Sequence, residues 1–294
     1  MSEHCYFMSA GELRAIVGDA TAHGAGQAQP SGVWFLTSVK DRHTAVSQGN
    51  GVLLFGGHRG TKPSIRRVDD VTVELFKEAA ERNNFVETRG TYRLVAPYYI
   101  DYEMTATARP GRRAQEHTSF SWCCYVNSPL DGGIHFIEKG IWTYYYNPVH
   151  GQGAMIFPTD LPVEAREAWG REGTTKFLNG RRGFHHSDSG HTFDHPFYFG
   201  VIRGMMFLIM ADDDLGFRFF LSPSGAGQSV IPGKSSPAWD FAWEVDALKV
   251  DEPRTLRVRV AYMRPEATEA VPNGYAADHA WLEYQKFRGV KGAS

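Results

Sequence analysis

The chain has 294 residues, 42% of them hydrophobic and 22% charged, a composition that excludes a disordered protein and provides for a substantial core. Its formal charge is −2 and its Lys and Arg residues are scattered, so it carries no footprint of a phosphate-backbone binder and no nucleic-acid partner is expected. Met1-Ser2-Glu3-His4-Cys5-Tyr6 lacks a basic region followed by an apolar core, and the most apolar stretch, Phe197 to Met210, is shorter than the ~20 residues of a membrane helix, so a cytoplasmic protein with no membrane partner is the expectation.

Aromatic residues make up 13% of the chain, which favours strands and also supplies flat faces for planar or ring-shaped ligands. In chain order, the first strand candidates are Val33–Val39 and Val52–Phe55. Val71–Arg82 is ambiguous: Val71-Thr72-Val73-Glu74-Leu75 alternates like a strand before Glu78-Ala79-Ala80-Glu81 turns helical. Thr91–Val95 follows, and then the strongest local signal, Ile100 to Ala108, where apolar and polar residues alternate without a break as in a half-buried strand. Thr118–Val126 is the next candidate. It ends with the adjacent Cys123 and Cys124, which on a strand point to opposite faces; with Cys5 they make an odd count, against a disulfide framework.

Ile134–Glu138 and Ile141–Tyr146 are further short strands, and Asp160 to Trp169 has the punctuation of a short helix, with Pro162 near its start and Gly170 just after. Phe177 to Pro196 reads as an irregular loop, Phe197–Met210 as a buried strand with Arg203 in its middle, and Phe217–Leu221 as a short strand. Ser222 to Pro237, rich in Gly, Ser and Pro, is a second long loop. Trp239–Val245 and the alternating Leu256, Val258, Val260 and Tyr262 are the last core strands, the latter stopped by Pro265, and Ala276–Phe287 is a C-terminal helix. No repeat and no linker divides the chain. Short strands separated by turn residues, with few helices between them, predict one domain over 1–294 built as an all-β antiparallel sandwich with a few short helices.

The densest polar cluster is His185, His186, Asp188, His191, Asp194 and His195. Four imidazoles and two carboxylates in so short a run can hold a divalent metal, through His185, His191 and His195, or can act on a substrate as acids and bases; a solvated turn is the plain alternative. No cofactor is required by the sequence. His135 and Glu138 can form an acid–base couple, although a regular strand points them to opposite faces. His150 and His58 stand at strand ends, where reactive groups are displayed, or serve as turn residues. Trp239 and Asp240 set an indole beside a carboxylate, which suits ring faces and hydroxyls, against the ordinary reading of Trp239 as core. Arg203, among apolar neighbours, needs either a structural acid or substrate oxygens, and Tyr144 joins the candidate binding residues. Nucleophile-elbow, phosphate-loop and dinucleotide signatures are missing.

Thr91 to Glu103, Asn127 to His135 and Ser236 to Phe241 resemble elements of the galactose mutarotase-like β-supersandwich superfamily. The resemblance implies a supersandwich working on sugars with His and carboxylate side chains, as in mutarotases, epimerase-like proteins, polysaccharide lyases and glycoside hydrolase domains. No motif aligns the catalytic residues of that superfamily with this chain, and none is carried over. The expectation is a carbohydrate-active enzyme, hydrolytic, eliminating or epimerising, with His135, Glu138, His150, Asp194 and His195 as acids and bases. Its ligand would be a small sugar or oligosaccharide, and a homo-oligomer is compatible with the sequence. Hydrolysis needs two carboxylates flanking one cleft, for which Glu103, Glu138, Asp194 and Asp240 are the candidates. The alternatives are a metal-dependent cupin-like enzyme and a noncatalytic carbohydrate-binding protein.

Overall fold

The computed structural model describes residues 3–20, 31–47, 50–56, 63–112, 117–147, 152–172, 185–223, 231 and 233–289, with the backbone alone described for 117, 152–153, 168–172 and 185–187. Among the described residues, eighteen strands form two nine-stranded sheets. The first contains β1 (Cys5–Ala10), β2 (Leu13–Gly18), β3 (Ser31–Ser38), β4 (Val52–Phe55), β9 (His117–Cys123), β12 (Gln152–Pro158), β13 (His185–Phe193), β16 (Phe217–Ser222) and β17 (Ala238–Asp246), in the spatial order β1-β2-β3-β4-β9-β17-β16-β12-β13. The second contains β5 (Ser64–Arg67), β6 (Thr72–Lys77), β7 (Val86–Val95), β8 (Tyr99–Ala108), β10 (Ile134–Glu138), β11 (Ile141–Tyr145), β14 (Phe197–Ile202), β15 (Met205–Ala211) and β18 (Arg254–Met263), in the order β11-β10-β14-β15-β18-β8-β7-β6-β5. Neighbours are antiparallel except for β12 and β13, which run parallel.

The alternation that marks a half-buried strand is the alternation that builds the core. Ile100, Tyr102, Met104 and Ala106 of β8 point inward with Leu256, Val258 and Val260 of β18, and meet Trp122, Phe241 and Trp243 from the first sheet. Polar ends of the buried rings are satisfied across the gap: Trp122 Nε1 donates to Tyr102 Oη at 3.0 Å, Tyr92 Oη to the Leu53 carbonyl at 3.1 Å, and Tyr198 Oη to the Trp239 carbonyl at 2.8 Å. The result is the expected all-β antiparallel sandwich. Among the described residues, two α-helices lie outside it: α1 (Val163–Glu172) begins three residues later than the sequence predicts, and α2 (Ala276–Phe287) has the predicted bounds. Ala280 and Tyr284 of α2 pack on Phe197, Phe199, Leu208 and Met210, the outward face of the second sheet, and Leu161 and Ala165 lie on Met155, Phe157 and Phe220 of the first.

Phe197–Met210 is a hairpin, not one strand. Arg203 and Gly204 occupy left-handed backbone, φ 50° and 76°, as a tight two-residue turn requires, and Ile202 pairs with Met205. The core lines one face of these strands and α2 the other, so no polar alternation betrays the break. The predicted loop Phe177–Pro196 yields a strand from His185 onward, paired with β12 on one side. Val71–Arg82 divides into β6 and a 3-10 turn at Glu81–Asn83. In the predicted loop Ser222–Pro237, 224–230 and 232 lie outside the described residues. No disulfide joins Cys5, Cys123 or Cys124, and Cys124 is buried.

Candidate functional site

The sandwich brings a histidine and a carboxylate together where the end of β13, an edge strand of the first sheet, reaches β10 of the second. The β10–β11 turn at Lys139 and Gly140 has positive φ at both residues, 52° and 74°. Asp194 holds it: its carboxylate accepts from the Lys139 N–H at 3.0 Å, the Gly140 N–H at 2.6 Å and the Thr159 hydroxyl at 2.8 Å, while its own N–H donates to the Ile137 carbonyl at 2.8 Å. Burial would raise the Asp194 pKa, but these donors keep it below the usual carboxylate range.

Two residues back along β13, Thr192 donates its N–H to Glu138 Oε1 at 2.8 Å, and His191 Nδ1 stands 2.8 Å from Glu138 Oε2. Both carboxylate oxygens are therefore engaged. Burial would raise the Glu138 pKa, yet the imidazole and the Thr192 amide together hold it below its ordinary value. Its side chain is 16% exposed and that of His191 37%, so the carboxylate is shielded while the imidazole still meets solvent. With Nδ1–H donating to Glu138, Nε2 carries the lone pair, the arrangement of a general base fixed by an acidic neighbour. The Tyr145 ring lies 5.1 Å from His191, and burial raises its phenol pKa. Phe136 closes the inner side of the imidazole edge-on, at 6.3 Å.

Among the described residues, the other sequence candidates do not converge on this pair. His135 projects from the opposite face of β10, stacked on Phe199 at 4.8 Å and beside Tyr144 at 5.0 Å, and burial lowers its pKa. His195 lies against Trp281 and Tyr284 of α2, at 5.1 and 5.5 Å, and its pKa is also lowered by burial; the charge of Asp194 acts on it, but no hydrogen bond joins the two among the described residues, the Asp194 oxygens being taken by the turn. Trp239 is wholly buried and donates its indole N–H to the Gly132 carbonyl at 2.9 Å, so it offers no ring face to a ligand. Asp240 accepts the Cys124 N–H at 2.6 Å. Arg203 is a structural cation: it pairs with Asp41 at 3.1 Å and donates to the Asn127 and Thr44 carbonyls. Tyr144 is half exposed and donates its hydroxyl to Asp131 at 2.6 Å. Glu103 pairs with Arg257 at 3.1 Å on the outward face of the second sheet. His58 and His150 lie outside the described residues, as does the side chain of His185. Among the described residues no group of three His, Cys, Asp or Glu side chains stands ready to share a metal ion.

Sequence reasoning missed Tyr145 as the neighbour of His191, and it missed a second polar cluster on the first sheet. There Arg218 of β16 and Glu244 of β17 form an ion pair with side chains only 4% and 0% exposed; Ser119 donates its hydroxyl to Glu244 at 2.8 Å, and the guanidinium lies over Phe220 at 4.9 Å. A lone Arg inside Phe217-Arg218-Phe219-Phe220 was the available signal, by the same reasoning that singled out Arg203.

No family model matches the sequence, and no curated protein matches it. Among solved structures, the fold is similar to that of a candidate aldose 1-epimerase from Escherichia coli K12, at 9% identity over 88% of this chain and 99% of that one, with a TM-score of 0.49. It is also similar to a galactose mutarotase related enzyme from Lactobacillus acidophilus, at 7% identity over 88% and 97% of the two chains with a TM-score of 0.46. A third likeness is to the heparan sulfate lyase HepC from Pedobacter heparinus, at 9% identity over 91% of this chain and 36% of that one, with a TM-score of 0.48.

Proposed function

We propose that the protein is a carbohydrate-active enzyme that moves protons on a small sugar, interconverting its anomers or epimers, with His191 as general base, Tyr145 as general acid and Glu138 as the residue that positions His191. The observation that carries this reading is the 2.8 Å contact between His191 Nδ1 and Glu138 Oε2, with the carboxylate shielded and the imidazole open. In mutarotation, His191 Nε2 takes the proton of the anomeric hydroxyl while the Tyr145 phenol gives one to the ring oxygen. The bond between the anomeric carbon and the ring oxygen breaks, an aldehyde forms, and closure on its other face returns both protons. Glu138 stabilises the imidazolium and fixes the tautomer.

Two-carboxylate hydrolysis is less well supported. Glu103 and Asp240 stand on outward faces of different sheets, and Asp194, although close to Glu138 in the fold, spends both oxygens on the Lys139–Gly140 turn. The proposed chemistry needs no metal, so chelation should leave the rate unchanged.

The test is the equilibration of freshly dissolved single anomers of common hexoses, followed by polarimetry or proton NMR. The expected result is acceleration by the protein for at least one sugar, lost by about 100-fold or more in His191→Ala. Glu138→Gln should lower the rate and shift its pH profile, a shift that a purely structural role would not produce. Uncatalysed rates across the panel, with saturable sugar binding, would leave a noncatalytic binding protein in place of the enzyme.

A further inference from the structure

On the outward face of β7, β8 and β18, beside the last turn of α2, a hollow of about 560 Å³ is lined by four cationic side chains, Arg93, Arg257, Arg259 and Lys286, and two carboxylates, Asp101 and Glu103. Strand register sets these groups in two rows: Arg93, Asp101 and Arg259 stand in line across the three strands, and Thr91, Glu103 and Arg257 form the parallel row.

In the first row Arg259 takes both Asp101 oxygens, at 2.6 and 2.8 Å, with its guanidinium over Tyr99 at 4.7 Å and near Phe287 at 5.8 Å. That fork occupies the carboxylate. Arg93, on the other flank of Asp101, forms no hydrogen bond or ion pair among the described residues, and neither does the Thr91 hydroxyl. The remaining cations are matched: Arg257 by Glu103 at 3.1 Å and Asp212 at 3.6 Å, and Lys286 by Glu283 at 3.0 Å. The charge of Arg93 acts on Asp69, but its N–H donors are the ones of the hollow that no hydrogen bond engages among the described residues, two residues along one strand face from the Thr91 hydroxyl, with Phe287 as an aromatic wall.

We infer that this hollow is a second ligand site, for a small molecule bearing an oxyanion, a carboxylate or a phosphate or sulfate group, that is received by the Arg93 guanidinium and the Thr91 hydroxyl. The site is separate from the His191–Glu138 pair, since β14 and β15 stand between β10 and β18 in the sheet. A lone surface arginine would bind an anion weakly because water screens it. Here Arg259 and Arg257 are held in place by Asp101 and Glu103, so a bound anion meets the Arg93 and Thr91 donors beside two fixed guanidinium groups.

The test is isothermal titration at low ionic strength with inorganic phosphate, sulfate, glucose 6-phosphate and galacturonate, and with galactose as the neutral control. The expected result is saturable binding of at least one anion, weakened about tenfold by Arg93→Gln, the loss of one charge-assisted hydrogen bond, and strengthened by Glu103→Gln, which removes a repelling carboxylate. Binding of the inorganic ions as tightly as the sugar acids would identify a free oxyanion as the ligand; tighter binding of the sugar acids, lost in Phe287→Ala, would identify the anionic group of a sugar. Arg93 is exposed, so its replacement leaves the fold intact. No saturable binding by any of the four anions, or binding indifferent to Arg93→Gln, would overturn the inference.

Discussion

His191 and Glu138 come from strands of different sheets and meet at 2.8 Å, so the bond between them is also a clasp between the two layers of the sandwich. Its pH dependence follows from the sign of the shift. The Glu138 pKa lies below its ordinary 4.5 in the folded protein, so the ionised group stabilises the fold above about pH 4.5, and that contribution is lost as the pH falls through the lower folded value. Chemical denaturation of the wild type and Glu138→Gln should differ by about 1 kcal/mol at pH 7, and the difference should shrink as the pH falls below about 4.5. A constant difference across that range would show that the carboxylate charge is not what the clasp uses.

Asp194→Ala should cost about 1–3 kcal/mol, because two turn amides and the Thr159 hydroxyl lose their acceptor. Since the Asp194 oxygens are spent on the turn and on Thr159, and the His191–Glu138 contact does not use them, the variant should retain sugar turnover below its melting temperature. Loss of the rate without loss of stability would return Asp194 to the acid–base role that its place in the histidine-rich segment suggested.

That segment shows how far the sequence was legible. The alternation in Ile100–Ala108 and Leu256–Tyr262 declares one buried face, and the strands form there because nothing else buries those side chains. His185–Phe193 carries no such pattern: Gly190 and a succession of polar residues read as loop, and the segment becomes a strand because β12 offers it a parallel partner. The sequence marks Glu138 as a candidate and His191 as a possible ligand, but their pairing depends on the closure of one sheet on the other, which no local spacing encodes. His135, close to Glu138 in sequence, was the more obvious partner, and the pleat sends it to the opposite face.

Arg218 and Glu244 are held almost entirely away from water. Removing one partner of such a pair strands the other charge in a medium that solvates it poorly, so Glu244→Ala or Arg218→Ala should cost about 3–5 kcal/mol. The double replacement Arg218→Met with Glu244→Leu should recover most of that loss, because two apolar groups of similar volume need no partner. Denaturant midpoints of the three variants decide the matter. A double variant as unstable as the single ones would mean that the pair organises the central strands of the first sheet through contacts beyond its own charge.

Gly200 lies on β14 directly beneath the Trp239 ring, and a Cβ added there would approach ring carbon Cη2 to 2.2 Å. Backbone and indole cannot both stay where they are, since the indole is wedged in the core with its N–H committed to the Gly132 carbonyl. Gly200→Ala should therefore destabilise the protein by about 1–3 kcal/mol, the usual cost of overpacking. Replacing Trp239 with Leu should lower stability by itself through the cavity it leaves, yet make room for the added methyl, so the double variant should be more stable than the sum of the single losses predicts. Strict additivity in thermal melts would show that the two sites do not contend for the same space. Trp239→Leu should at the same time leave sugar affinity unchanged at temperatures where the variant is folded, because a wholly buried ring has no face for a sugar to stack on.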